Sequence, residues 1–297
     1  MKLRIGTRRS QLALAQAEEV RERLAGIGVD SELVPMVTSG DRGAPFDTSP
    51  SGLKGLFVAE IVRALRDGDV DLAVHSAKDL PSEDEAGLTI AAVPERVSPL
   101  DVLVTREGEL PRGSAVGTSS LRRRAQLLRW RPDVVVEDLR GNVDTRLRKL
   151  EEGAVDAVVL AAAGLLRLGI LPPHAAPMSA AEMVPAPGQG CLALQARAGD
   201  ESVLEAVRPL DHRESRAALE AERSVMARLG GGCALPLGAF ATVEGNRIRL
   251  VAVVASPDGA RVVRVEVESA TPSEAAERAA AELLEGGAGE ILAAVRG

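Results

Sequence analysis

The sequence predicts an α/β protein with two similar α/β domains followed by a small α+β domain. Three observations lead there. Short apolar strands alternate with amphipathic helices through the first two thirds of the chain. Two buried-type strands, VDLAVHSA and VDAVVLAAAG, each follow a helix ending near a glycine, Gly68 and Gly153, which reads as a weak internal repeat. The last 85 or so residues carry a helix, three strand candidates and a final helical stretch.

In chain order, KLRIGT reads as a strand and Ser10 caps a helix with Ala13, Ala17, Val20 and Leu24 at helical spacing. VDSELVPMVTSG is the next strand, so the chain opens β-α-β. Residues 41–53, rich in Gly, Pro, Ser and Asp, read as a loop. LFVAEIVRALRDG is helical and VDLAVHSA is a buried strand. A second unit begins near residue 99: AVGTSS is strand then turn, and SLRRRAQLLRW is a helix with Leu121, Ala125 and Leu128 on one face. VVVEDLRGN is strand then turn. VDTRLRKLEEG is a helix aligning Val143, Leu147 and Leu150, and VDAVVLAAAG is again a strand. MVPAPGQGCLALQAR reads as a crossing segment followed by a strand. The expected domains are therefore 1–97 with about 191–210, then 98–190, then 211–297. In the last, ESRAALEAERSVMARLG is a helix, and strands near 237–243, 247–255 and 260–268 are separated by the turn signals EGN and PDG.

Composition narrows the function. The chain has 297 residues, 45% of them hydrophobic and 27% charged, with a net charge of −7. One Trp, three Phe and no Tyr leave little for base stacking, and the negative charge argues against a nucleic-acid partner. No apolar run approaches the roughly 18 residues that span a bilayer, and MKLRIGTRRSQLALAQ lacks the apolar core of an export signal. A cytoplasmic protein with no membrane partner is expected. Two cysteines do not make a disulfide framework. Of the 36 basic residues only Lys2, Lys54, Lys78 and Lys149 are lysine, so the other 32 are arginine. Between Arg112 and Lys149, ten basic residues face four acidic ones, a local +6 that points to an anionic ligand held in one place.

Three segments share one arrangement of strand, small-residue turn, helix cap and arginine: IGTRRSQLA, VGTSSLRRRA and LRGNVDTRL. Arginine meets the partial positive charge of a helix start unfavourably, so Arg8, Arg122, Arg123, Arg140 and Arg146 gain most if an anion lies between. The alternative is pairing with nearby carboxylates or solvent. AVHSAKDLP places Lys78 and Asp79 at the carboxyl end of a strand, where open α/β sheets bind ligands. A carboxylate there can stabilise a cation or move a proton, or it can be ordinary surface charge. No Walker-type or dinucleotide glycine motif is present. His75, His174 and His212 are isolated, so no metal is expected. The stretch LGGGCALPLGAF leaves Cys233 either as a small buried residue in a turn or as a thiol that must reach something.

GTRRSQLALAQ, KGLFVAEI, DLAVHSAKDLP, GTSSLRR, LRGNVDTRL, VPAPGQG and GGCALPLGA occur in this order from about residue 3 to 243. Together they closely resemble the porphobilinogen deaminase (hydroxymethylbilane synthase) family. The resemblance implies that the first two domains are similar to type II periplasmic binding proteins. It implies a transferase of haem and porphyrin biosynthesis that joins four porphobilinogen molecules into hydroxymethylbilane with release of ammonia. The chain would be primed by a dipyrromethane cofactor held through a thioether to Cys233. Asp79 would be catalytic, holding pyrrole N–H groups and stabilising a cationic methylene-pyrrole. Arg8, Ser10, Lys54, Ser76, Lys78, Thr118, Ser119, Ser120, Arg122, Arg123, Arg140, Asn142, Arg146 and Arg167 map onto positions that bind acid groups or place rings, with Gln189 lining the same cleft. The family often carries a second lysine before KGLF, whereas residues 41–53 here hold only Arg42 as a base. No oligomerisation segment stands out, and a monomer is expected. Two other classes share these features in part: a polycarboxylate-binding protein, which needs no Cys233, and a nucleic-acid binder using 112–149.

Overall fold

The computed structural model describes residues 2–37, 58–83, 85–231 and 235–296. The loop read over 41–53, Lys54 and Cys233 lie outside the described residues. The chain runs β1 (Lys2–Arg8), α1 (Gln11–Gly26), β2 (Asp30–Met36), α2 (Ala59–Asp67), β3 (Leu72–Ser76) and β4 (Leu88–Ala92). It continues β5 (Asp101–Thr105), β6 (Ala115–Gly117), α3 (Leu121–Trp130), β7 (Val135–Glu137), α4 (Val143–Glu151), β8 (Ala157–Ala161), α5 (Ala162–Leu168) and β9 (Ala175–Pro177). Then follow β10 (Leu192–Arg197), α6 (Glu201–Val207), α7 (Arg213–Arg228), β11 (Leu237–Glu244), β12 (Arg247–Ala255), β13 (Val262–Ser269), α8 (Pro272–Glu285) and α9 (Ala288–Arg296).

Two five-stranded sheets have one topology. The first is ordered β2-β1-β3-β10-β4 and the second β7-β6-β8-β5-β9. In each, three parallel strands from a β-α-β-α-β run meet an antiparallel strand. That strand, β10 or β5, arrives from the other sheet. The chain thus crosses twice between the α/β layers, through 93–100 and 178–191. The third sheet is antiparallel, β11-β12-β13.

Local sequence explains most elements. Ser10 Oγ accepts the Ala13 N–H, and α1 buries Ala13, Ala17, Val20 and Leu24, the predicted face. Gly68 ends α2 with φ +77, which glycine adopts without a Cβ penalty. VDAVVLAAAG divides: Ala157–Ala161 is strand and Ala162–Leu168 helix, so the alanines follow their helix propensity. The buried face of α3 is rotated from the expected one. It carries Arg122, Arg123, Ala125, Gln126 and Leu127, because a buried carboxylate lies beneath its first turn. From Leu250 onward β12 is apolar and buried, since both faces are covered there. Ile248, Leu250, Ala252 and Val254 pack with α7, α8 and α9, while Val251 and Val253 meet Val184 of the second crossing.

Both crossings are tied to the third domain by Glu222 of α7, a carboxylate with no exposed surface. Arg96 of the first crossing donates to Glu222 Oε1 at 2.6 Å, Gly188 N–H of the second donates to Oε2 at 2.6 Å, and Ala241 N–H donates to Oε1 at 2.8 Å. Arg96 also donates to the Gln189 carbonyl at 2.8 Å and lies 5.2 Å from the Phe240 ring centre. Removing Glu222 strands a buried guanidinium and two amides. Glu222→Ala is expected to lower unfolding stability by about 3–5 kcal/mol, read from the denaturant midpoint, with Glu222→Gln losing less.

Candidate active site

Between the two α/β layers, at the carboxyl ends of β1, β3 and β8, lies a cleft enclosing about 280 Å³. Its first wall carries Arg8, Ser10, Ser76, Lys78 and Asp79. Its second carries Arg123, Asn142, Arg146 and Arg167, and its floor is Gly188, Gly190 and Cys191 of the crossing. Among the described residues, the lining holds five basic side chains (Arg8, Lys78, Arg123, Arg146, Arg167) against one carboxylate, Asp79.

Asp79 closes a short 3-10 turn, Ala77–Asp79, that follows β3 directly. The Ala77 N–H donates to the Cys191 carbonyl at 3.0 Å, which fixes the turn against the crossing and leaves the Asp79 carboxylate exposed. Beside it, Lys78 is half-buried. Burial, reinforced by Arg123, pushes its ammonium down to about 8, against the opposing pull of Asp79 and Asp101. Ser76 Oγ accepts from Gln16 Nε2 at 2.8 Å. Gln16 also lines the cleft, and sequence reasoning passes over it. Its signal is a polar residue inside the apolar stripe of α1. His75 lines the same wall as a buried imidazole, its pKa pushed down to about 4 by burial.

The second wall rests on Asp101, the first residue of β5, which is wholly buried. Arg122 Nη1 donates to its Oδ2 at 2.7 Å, and Arg123 donates to Oδ1 through Nε at 3.0 Å and Nη2 at 2.8 Å. Burial alone would raise the Asp101 pKa, but the two guanidiniums outweigh it and hold the carboxyl well below its usual range. Arg123 reaches the cleft. Arg122 does not, since its Nη1 is also given to the Val184 carbonyl at 2.7 Å, and its place is behind the wall. Thr118, Ser119 and Ser120 are likewise outside the enclosed lining. Thr118 Oγ1 accepts the Ser120 N–H at 3.2 Å and Ser120 Oγ the Arg123 N–H at 3.4 Å, so they build the start of α3, while Ser119 is exposed.

Arg146 donates to the Gly141 carbonyl at 2.8 Å, and burial with Arg123 nearby pushes its guanidinium down to about 10. Asn142 begins α4 without a side-chain capping bond and lines the cleft. Arg140 is exposed, pairs with Asp138 at 3.1 Å and is not part of the lining. Arg167 bridges the walls: Nε donates to Glu19 of α1 at 2.8 Å and Nη2 to the Gly190 carbonyl at 3.3 Å. Gln189 corrects an expectation. It does not line the cleft, because its amide is buried and donates to the Pro99 carbonyl at 2.7 Å and to Asp101 at 3.1 Å, which locks one crossing to the other. Cys191 is packed in the core, and burial pushes its thiol up to about 12. No group of His, Cys, Asp and Glu among the described residues is placed to hold a metal ion.

Fold and site define an α/β protein with two sheets, whose cleft presents basic side chains suited to anionic groups beside the Asp79 carboxylate. The family model described as porphobilinogen deaminase, dipyromethane cofactor binding domain, matches residues 3–205, and that of the porphobilinogen deaminase C-terminal domain matches 217–285. The chain belongs to the porphobilinogen deaminase family. It is 46% identical to the porphobilinogen deaminase of Brevibacillus brevis, covering 99% of this chain and 97% of that one. It is 49% identical to that of Pelotomaculum thermopropionicum, covering 98% and 96%, and 47% identical to that of Roseiflexus castenholzii, covering 98% of each. Among solved structures it is similar to the methionine-binding protein MetQ, with TM-score 0.43 and 13% identity over 70% of this chain and 89% of that one. It is also similar to a Burkholderia cenocepacia nutrient-binding protein bound to methionine, with TM-score 0.43 and 15% identity over 72% and 93%.

The position of Lys78 predicts pH-dependent anion binding in the cleft. It is cationic below about 8, so affinity for a small polycarboxylate such as citrate is expected to fall as pH rises through that value. Lys78→Met should abolish this step and leave weaker, flatter binding, measured by titration calorimetry between about pH 6.5 and 9.5, a window that brackets the lysine's titration.

Proposed function

We propose that this cleft deaminates porphobilinogen and joins four such units into the linear tetrapyrrole hydroxymethylbilane, with Asp79 as its catalytic carboxylate. The observation that carries the reading is the five-to-one excess, among the described lining residues, of basic side chains around one exposed aspartate. Porphobilinogen carries an acetate and a propionate on its pyrrole. Lys78 and Arg146, with Arg8 and Arg123 beside them, suit those groups as charge-assisted donors. Asn142 and Ser76 add neutral hydrogen bonds for ring placement. Lys54, Thr118, Ser119, Ser120, Arg122, Arg140 and Gln189 belong to the wider proposed set, Arg122 and Gln189 by supporting the second wall through Asp101.

In the reaction the C–N bond of the aminomethyl group, protonated as an ammonium, breaks and the nitrogen leaves with the bonding pair as ammonia. The methylene-pyrrole left behind is cationic. Asp79, an anion in a cleft otherwise lined by cations, stabilises this charge and accepts the pyrrole N–H. The α-carbon of a second pyrrole then forms the new C–C bond, and its α-proton is lost to a base. Asp79 is placed at the cleft edge, where it can take that proton.

The residues fit a dipyrromethane, since its two rings carry the same acid side chains and the cleft offers the same donors. When bound, that group supplies the pyrrole carbon from which the chain grows. Cys233 is its proposed point of attachment through a thioether. The other cysteine, Cys191, is buried with its thiol pushed up to about 12 and offers no thiolate. The sheets support a reading of three domains, 1–97 with about 191–210, 98–190 and 211–297. The chain is further read as a monomer acting in the cytoplasm on a small soluble substrate. Among the described residues no helix is long and apolar enough to cross a membrane.

Intact mass tests the attachment: the native chain should exceed its sequence mass by one dipyrromethane, and Cys233→Ser should not. A native chain of bare sequence mass after expression with ample porphobilinogen would overturn it. Asp79→Ala is expected to keep the added mass but to lose about a hundredfold or more in kcat, measured as tetrapyrrole formation.

A further inference from the structure

Three residues lead from α7 towards Cys233, and every backbone polar group they carry is engaged. The N–H groups of Leu229, Gly230 and Gly231 donate to the carbonyls of Val225, Ala227 and Met226 at 3.1, 2.9 and 2.9 Å. The Leu229 and Gly230 carbonyls accept from Arg296 Nη2 of α9 at 2.6 and 2.9 Å. The Gly231 carbonyl accepts from Ser82 Oγ at 3.0 Å. Ser82 is three residues beyond Asp79, past the turn that Pro81 ends. This bond therefore joins the aspartate's own segment to the residues that lead towards Cys233.

The glycines are required by this packing. Gly230 has φ +64, and a Cβ there would sit 3.2 Å from Arg296 Nη2; a Cβ on Gly231 would sit 3.0 Å from the Met226 carbonyl. α9 is itself anchored through Ile291 and Leu292 in the third-domain core. The clamp thus has one jaw on each side: Arg296 from the third domain and Ser82 from the first.

We propose that Ser82 and Arg296 are positioning residues that fix residues 229–231, the described residues leading towards Cys233, relative to Asp79, an inference that rests on Cys233 as the attachment point. The domains do not depend on the Ser82 bond for their association, because Arg96 holds Glu222 and donates its N–H to Ser215 Oγ at 2.9 Å. Loss of Ser82 should therefore shift residues 229–231 without loosening the fold.

The test compares Ser82→Ala, Ser82→Thr, Arg296→Ala and Arg296→Lys in the full, cofactor-loaded chain. Ser82→Ala and Arg296→Ala should keep the dipyrromethane mass, the thermal midpoint and the KM for porphobilinogen, yet lose about tenfold or more in kcat, as misplacement of reacting groups does. Ser82→Thr, which retains a hydroxyl, should recover most of that loss, and Arg296→Lys part of it. Wild-type kcat in both alanine variants overturns the inference. So does a fall in kcat that only follows a fall in midpoint or loading, or a threonine variant no better than alanine. Peptide mapping of the added mass separates the two readings. With the mass on Cys233 and alanine variants unaffected, only the clamp fails; with the mass on another residue, both fail.

Discussion

Glu222 has no exposed surface, and three parts of the chain converge on its two oxygens: the Arg96 guanidinium and the amides of Gly188 and Ala241. A carboxylate so far from water is tolerable only when paired and fully hydrogen-bonded. The two crossings between the α/β layers need the same thing from the other side, since their irregular backbone leaves polar groups with no ladder to satisfy them. One side chain from the third domain meets both needs. The cleft floor, Gly188 to Cys191, is set by it, and so is the bond from Cys191 to the turn that presents Asp79. The proposed catalytic carboxylate is therefore located by a charge pair that never touches the cleft.

Asp101 and Glu19 repeat this logic for the cleft's positive charge. Five basic side chains in one lining repel each other, and the lowered pKa values of Lys78 and Arg146 record both burial and the nearness of Arg123. Asp101 behind the wall holds Arg122 and Arg123, and Glu19 on the opposite helix holds Arg167. Among the described residues, Lys78 and Arg146 have no such carboxylate at bonding distance, and for them an anionic ligand is the natural counter-charge. Arg167 is different in kind, since its partner belongs to the other domain and its ion pair spans the cleft.

Much of this architecture is legible in the amino-acid sequence. The alternation of strand and helix, the Ser10 cap with its Ala13, Ala17, Val20 and Leu24 face, and the three C-terminal strands follow local period and turn chemistry. The arginines at helix starts and the Lys78–Asp79 pair at a strand end stand out because residue type and position conflict with a bare helix dipole or an apolar strand. β4, β5 and β9 do not stand out, being short strands whose pairing comes from distant segments. Arg122 and Arg123 read alike in sequence and both donate to Asp101 some twenty residues earlier, yet Arg123 lines the cleft while Arg122 is turned to the Val184 carbonyl.

By itself the sequence determined the α/β class, most of the longer elements, the clustering of arginines at helix starts and the motifs that mark the family, because each depends on neighbours within a few residues. Only the tertiary structure decided which cations reach the cleft, that Gln189 ties the two crossings together, that Gln16 joins the wall, and that Ser82 and Arg296 grip residues 229–231. Those outcomes depend on which carboxylate or carbonyl is within about 3 Å of each donor. For these residues, such partners lie tens to more than a hundred positions away in the chain, and only folding brings them together.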